Sequence, residues 1–130
     1  MTYRAGIVLL AGSKVLLVKI VHNNVDVWGF PKGRMRKGDT PKDTAEREFL
    51  EETGIPFKLD GDYRHIRLSN AHFYITNTPN AFEVSYQNVP DKREVKGIQW
   101  MDLTEVQSLP AQNINRYVRM YIDRLKRSET

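Results

Sequence analysis

A chain of 130 residues with 40% hydrophobic content has the size of one globular domain, expected here to span 1–130, and can bury a core without covalent staples. It has no cysteine, which excludes a disulfide framework and any thiolate metal site. Its formal charge of +4 admits anionic partners without requiring one.

The apolar run within Met1 to Leu10 is too short to cross a membrane and lacks a small-residue cleavage pattern, so a soluble cytoplasmic protein without a membrane partner is expected. Ala5 to Leu10 and Lys14 to Ile20 are rich in Val, Ile and Leu and read as strands joined by a hairpin at Gly12-Ser13. Trp28 to Pro31 reads as a short strand entering an irregular loop punctuated by Pro31, Gly33 and Gly38. Pro41 to Thr53 has the marks of a helix: Thr40 as N-cap, Pro41 at the first position, and Gly54 and Pro56 as stops. Strands are expected over Tyr63 to Leu68, Ala71 to Thr76, Ala81 to Tyr86 and Val95 to Met101. Ile114, Tyr117, Val118, Tyr121, Ile122 and Leu125 recur at helical spacing, with arginines on the other face. Strands and two long helices then share one α/β body.

Charge is unevenly distributed. Lys32, Arg34, Arg36 and Lys37 crowd the loop, whereas Glu46, Glu48, Glu51 and Glu52 crowd the helix that follows. On a helix Glu48, Glu51 and Glu52 occupy positions i, i+3 and i+4, where like charges destabilise by a few tenths of a kcal/mol per pair. Arg47 offsets Glu51 from four residues away, but Glu48 and Glu52 have no basic residue three or four positions distant. A hard divalent cation relieves such repulsion, because Mg²⁺ prefers carboxylate and phosphate oxygens and retains several waters. The alternative is a solvated acidic face.

The segment from Gly33 to Ile55 resembles the Nudix box: Gly, five residues, Glu, seven residues, then Arg-Glu-apolar-x-Glu-Glu-x-Gly-apolar. Gly33, Arg47, Glu48, Phe49, Glu51, Glu52, Gly54 and Ile55 match at the right spacing, and Asp39 stands where the family has Glu. The resemblance implies an α/β/α sandwich with a mixed central sheet. It also implies Mg²⁺, or Mn²⁺, held by Glu48, Glu51, Glu52 and the carbonyl beside Gly33, with Arg47 orienting a box carboxylate. Such a site can polarise a phosphoryl oxygen and activate water for attack on phosphorus.

Glu94-Val95-Lys96-Gly97-Ile98-Gln99-Trp100 resembles a segment of the mRNA-decapping subfamily and makes Glu94 the candidate fourth carboxylate, as base or metal ligand, with Glu83 next in line. Trp28-Gly29-Phe30-Pro31-Lys32-Gly33 resembles the start of the box in mRNA-decapping enzymes and related forms in RNA pyrophosphohydrolases and diadenosine-polyphosphate hydrolases. Lys32, Arg34, Arg36 and Lys37 would neutralise the phosphates; Trp28 and Phe30 read better as core than as base platforms. The expected substrate is thus an RNA 5′ end, capped or triphosphorylated, or a dinucleoside polyphosphate. An inositol pyrophosphate and a non-catalytic Nudix-fold binding module are the alternatives.

Overall fold

The computed structural model describes residues 2–128. In chain order the strands and α-helices are β1 (Arg4–Ala11), β2 (Lys14–His22), β3 (Val25–Gly29), β4 (Lys32–Arg34), α1 (Pro41–Thr53), β5 (Tyr63–Leu68), β6 (Ala71–Asn77), β7 (Val95–Asp102), α2 (Leu103–Ser108) and α3 (Arg116–Ser128). They form a mixed seven-stranded sheet in the order β3-β2-β1-β6-β5, with β4 paired to β1 and β7 to β2. The β1–β2 ladder is confined to Leu10–Ala11 against Lys14–Val15, next to the turn. Beyond that point the two strands part: β1 takes β4 antiparallel and β6 parallel, while β2 takes β3 and β7.

Side-chain alternation along β1 sends successive residues to opposite layers. Ala5, Ile7 and Leu9 pack with Ala45 and Phe49 of α1, whereas Val8 packs with Phe73 and the buried stripe of α3. Both faces of the sheet are therefore covered by helix, giving the expected α/β/α sandwich. Helix α1 follows its sequence signals: the Thr40 side chain accepts from Asp43 N, Pro41 opens it, and Gly54 ends it at φ 79°, a left-handed conformation that favours glycine.

Several boundaries differ from the sequence expectation. β3 starts at Val25 rather than Trp28, because Asn23 and Asn24 take φ values of 51° and 63° and close a tight β2–β3 hairpin. The expected irregular loop contains β4. Ala81 to Tyr86 is not a strand: Phe82 and Val84 pack onto Ile98 and Trp100, and Trp100 Nε1 donates to the Phe82 carbonyl at 2.7 Å. The alternation there serves packing onto a sheet face, not a ladder. Helix α2 was not expected; Asp102 and Glu105 cap it reciprocally. Helix α3 begins only at Arg116, and Ile114 instead forms a bridge with Trp28. Among the described residues no helix is long and apolar enough to cross a membrane.

Candidate active site

Two segments outside α1 are fastened to its acidic face. The first is the strand and loop before it. Arg47 donates to the Arg34 carbonyl at 3.1 Å and bonds the Asp39 carboxylate, while its Nε lies 4.0 Å from Glu48 and 3.9 Å from Glu51. Asp39, although one methylene shorter than the family's Glu, thus reaches the arginine; that guanidinium holds its carboxyl below the usual range. Gly33 lies against the Glu48 carboxylate so closely that a Cβ there would sit 1.7 Å from Oε1. The Lys32 backbone N–H donates to Glu52 at 3.1 Å.

The second is the stretch before β7. The Asp91 N–H donates to the Glu51 carbonyl at 3.0 Å, and the Asp91 carboxylate accepts from Glu94 N at 3.3 Å. Val89 and Val95 are buried against Val18 on either side. These contacts bring Glu94 to the box carboxylates, 42 positions after Glu52 in the chain. Glu83 is exposed on the segment over β7 and does not line this cleft.

Electrostatics record the crowding. Glu52 is 5% exposed, and burial pushes its carboxyl up to about 8; the charge and N–H of Lys32 oppose this, while Glu94 and Glu48 add to it. Burial likewise pushes Glu48 up to about 7, reinforced by a hydrogen bond and charge repulsion from Glu51 and by Glu94, against Arg47. Desolvation penalises the charged form of a carboxylate, and neighbouring negative charge compounds it. Added positive charge would relieve both groups. The donors are all hard oxygens, as Mg²⁺ or Mn²⁺ requires. Among the described residues, no three acidic side chains by themselves form a group able to hold a metal.

The acidic group opens into a cleft of about 1150 Å³ whose lining includes Glu48, Glu51 and Glu94 together with Lys32, Arg34 and Arg36. Lys37 is exposed and is not part of the lining. Trp28 and Phe30 are not base platforms there: Phe30 is 1% exposed in the core, and Trp28 packs against the α3 side.

Sequence reasoning does not place Arg4, Asn70, Asn115, Arg116 and Tyr117 in the cleft, which they line; it reads Arg116 and Tyr117 only as parts of the C-terminal helix. Arg4 stands beside Arg34 in the β1–β4 ladder, one step from the Ala5–Gly33 pair, and its buried NH1 has no hydrogen-bond partner. Asn70, on the β5–β6 turn, accepts from Arg116 at 2.9 Å and from the Tyr117 hydroxyl. No spacing rule announces this group, since β1, a turn and α3 each contribute to it. Carboxylates and arginines thus line one cleft, an arrangement of charge that suits an enzyme acting on a phosphoanhydride.

The chain matches the NUDIX domain over residues 2–122, and it belongs to that family. It is 39% identical over 102 residues to a putative hydrolase, 111R, of Invertebrate iridescent virus 3, covering 77% of this chain and 58% of that one. It is 27% identical over 124 residues to the m7GpppN-mRNA hydrolase dcap-2 of Caenorhabditis elegans, covering 91% of this chain and 15% of that one. The chain therefore spans less than two thirds of the length of both relatives. A NUDIX hydrolase from Nitrosomonas europaea has the same fold, with TM-score 0.72 and 18% identity, covering 98% of this chain and 89% of that one.

Proposed function

We propose that this domain is a Mg²⁺-dependent pyrophosphohydrolase, also served by Mn²⁺, that cleaves a phosphoanhydride bond at an RNA 5′ end, capped or triphosphorylated, or in a dinucleoside polyphosphate. The observation that carries the reading is the shared cleft, in which Glu48, Glu51 and Glu94 face the same space as Arg4, Arg34, Arg36 and Arg116. An uncharged or monoanionic substrate would leave most of that positive charge unused. The RNA preference draws support from the likeness to an m7GpppN-mRNA hydrolase over 91% of the chain.

In this reading Glu48, Glu51 and Glu52, with the carbonyl beside Gly33, would supply ligands to the divalent ion, directly or through its waters, with substrate phosphate oxygens completing the shell. When bound, the ion supplies Lewis-acid polarisation of a phosphoryl oxygen and a more acidic water. Glu94 accepts the proton of the attacking water. Arg47 is a positioning residue, since its two terminal nitrogens bond Asp39 and the Arg34 carbonyl while its Nε lies within 4.0 Å of Glu48 and Glu51. Lys32, Arg34 and Arg36, with Arg4 and Arg116, neutralise phosphate oxygens and leave the reacting phosphorus exposed to water; Lys37 contributes long-range attraction only.

The test is a product-resolved assay with Mg²⁺ on capped RNA, triphosphorylated RNA, dinucleoside polyphosphates and an inositol pyrophosphate. Release of a nucleoside diphosphate, pyrophosphate or orthophosphate from an RNA end, or of nucleotides from the dinucleoside compound, supports the proposal. Turnover of the inositol compound alone would replace it. No turnover of any substrate, with metal bound, would make the domain a binding module.

A further inference from the structure

At the β5 end, where the sheet order stops, Tyr63, His65 and Arg67 are exposed. The side chains there form an ordered file. Arg67 lies 5.5 Å above the ring of Tyr3, and Tyr3 is 6.5 Å from the ring of His72. The His72 and His65 rings lie with planes 12° apart and centroids at 5.0 Å, joined edge to edge by a 2.8 Å hydrogen bond between His65 Nε2 and His72 Nδ1, and His65 stacks on Tyr74 at 4.8 Å and 15°. Tyr63 meets Tyr74 edge-on at 5.5 Å, and Lys42 lies 5.2 Å above Tyr63. Strand register fixes the order, since His65 pairs with Tyr74 and Arg67 with His72 across the β5–β6 ladder.

Packing accounts for the middle of this file but not for its ends. Tyr74 is 7% exposed and belongs to the α1-side core, so the histidines that cover it serve burial. Tyr3 and Tyr63, by contrast, are 42% and 38% exposed. A solvent-facing tyrosine contributes little to a core, yet each of these has a cation poised over its ring. Exposed rings flanked by cations on a sheet face are elements with which proteins hold single-stranded nucleic acid: bases stack on the rings, and phosphates draw the cations away from them.

The file also starts beside the cleft. The Tyr3 carbonyl accepts from the N–H of Met35 at 3.0 Å, itself a lining residue. Arg67 and Lys42 make both ends of the file complementary to a polyanion.

We infer that the Tyr3–His65–Tyr63 face is a binding track for a few nucleotides of single-stranded RNA, continuing from the cleft across the β5–β6 edge. The inference deepens the proposed function and rests on it for the choice of polymer, because it says where the strand beyond a 5′ end lies. It makes Tyr3 the residue at the junction of the reacting end and the RNA body. Substrates without such a body, such as a dinucleoside polyphosphate, would not reach Tyr63.

The experiment uses 5′-hydroxyl oligouridylates of 3 and 12 nucleotides, which carry no anhydride, so that binding is read without hydrolysis. Fluorescence anisotropy should show tighter binding of the 12-mer. Y3A and Y63A, both at exposed positions, should each weaken it at least about fivefold, the low end for loss of one base-aromatic stack. The 3-mer should lose less with Y63A. K42Q and R67Q together should reduce the salt slope by about 1.4, at about 0.7 per neutralised phosphate on a single strand. Photocrosslinking of a 4-thiouridine 12-mer to the unaltered protein needs no variant, and should label Tyr3, His65 or Tyr63. Equal affinities for both lengths, unchanged binding by the tyrosine variants, or crosslinks confined to other faces would overturn the track. Binding as expected with no turnover of any RNA 5′ end would leave the track standing and remove the RNA reading of the cleft.

Discussion

Replacing Glu52 by Gln should stabilise the metal-free protein at alkaline pH and leave it nearly unchanged in mild acid. Glu52 is buried, and its carboxyl is pushed from the ordinary 4.5 up to about 8, chiefly by burial. The folded state therefore holds this proton more tightly than the unfolded chain. The stabilisation is complete below pH 4.5 and is lost as pH rises through about 8. Each pH unit between the two values corresponds to about 1.4 kcal/mol, so the whole interval is worth on the order of 5 kcal/mol. For a chain of this size that is roughly 15–20 °C in melting temperature. Gln keeps an oxygen for the Lys32 N–H, which donates to Glu52 at 3.1 Å, and removes only the ionisation. Thermal melts by circular dichroism in excess chelator at pH 5, 7 and 9 would measure the effect. The unaltered protein should lose stability steadily, whereas E52Q should retain most of it. Glu48, pushed up to about 7, leaves the variant a smaller slope. Mg²⁺ at pH 9 should raise the melting temperature of the unaltered protein more than that of E52Q, since the cation then takes the place of the proton. A melting temperature flat between pH 5 and 9 in chelator, or an E52Q protein that melts lower at pH 9, would refute the reasoning.

Three further outcomes follow from the same geometry. E94Q should lower turnover by about a hundred- to ten-thousandfold, the range for loss of a general base, with metal affinity by titration calorimetry little changed; E83Q should behave as the unaltered protein, and the reverse order would move the base to Glu83. G33A should lower turnover about ten- to a hundredfold, the range for displacing a group that orients a metal site, because the added Cβ would lie 1.7 Å from the Glu48 oxygen; normal kcat in that variant would show that Glu48 need not stay where it is. R47K keeps the charge but loses the fork that joins Asp39 to the Arg34 carbonyl, so amide exchange should quicken over Arg34 to Asp39 and kcat should fall with it, whereas unchanged exchange would deny Arg47 its positioning role.

How much of this was legible in the sequence depends on how locally each feature is determined. Helix α1 and its carboxylates were readable because cap, first-turn proline, stop glycine and the 3.6-residue period all lie within one short segment. Glu94 was reachable by resemblance, although what delivers it is the Asp91 bond to the Glu51 carbonyl, a contact that leaves no trace in local composition. The Ala81 to Tyr86 segment shows the opposite case. Its alternation of small or polar residues with Phe82, Val84 and Tyr86 is that of a strand, but alternation specifies only which side chains face inward. Whether the backbone then finds a ladder partner depends on the rest of the chain, and here the Trp100 indole took the Phe82 carbonyl.

The cationic wall of the cleft illustrates the same limit at the level of function. Lys32, Arg34, Arg36 and Lys37 are adjacent in sequence and invite a single role, yet the backbone separates them: Lys32 and Arg34 lie in β4, paired to β1, while Lys37 falls on the turn beyond and does not line the cleft. Arg4 and Arg116 are 112 positions apart and line the cleft together. Arg4 is there because β1 pairs with β4 at Arg34, and Arg116 because its α3 stripe of Tyr117, Val118, Tyr121 and Ile122 packs on the sheet, while its guanidinium bonds Asn70 on the β5–β6 turn. Side chains that fill a core thus decide which charges reach the substrate, and a charge run in sequence is a poor guide to a charge cluster in space.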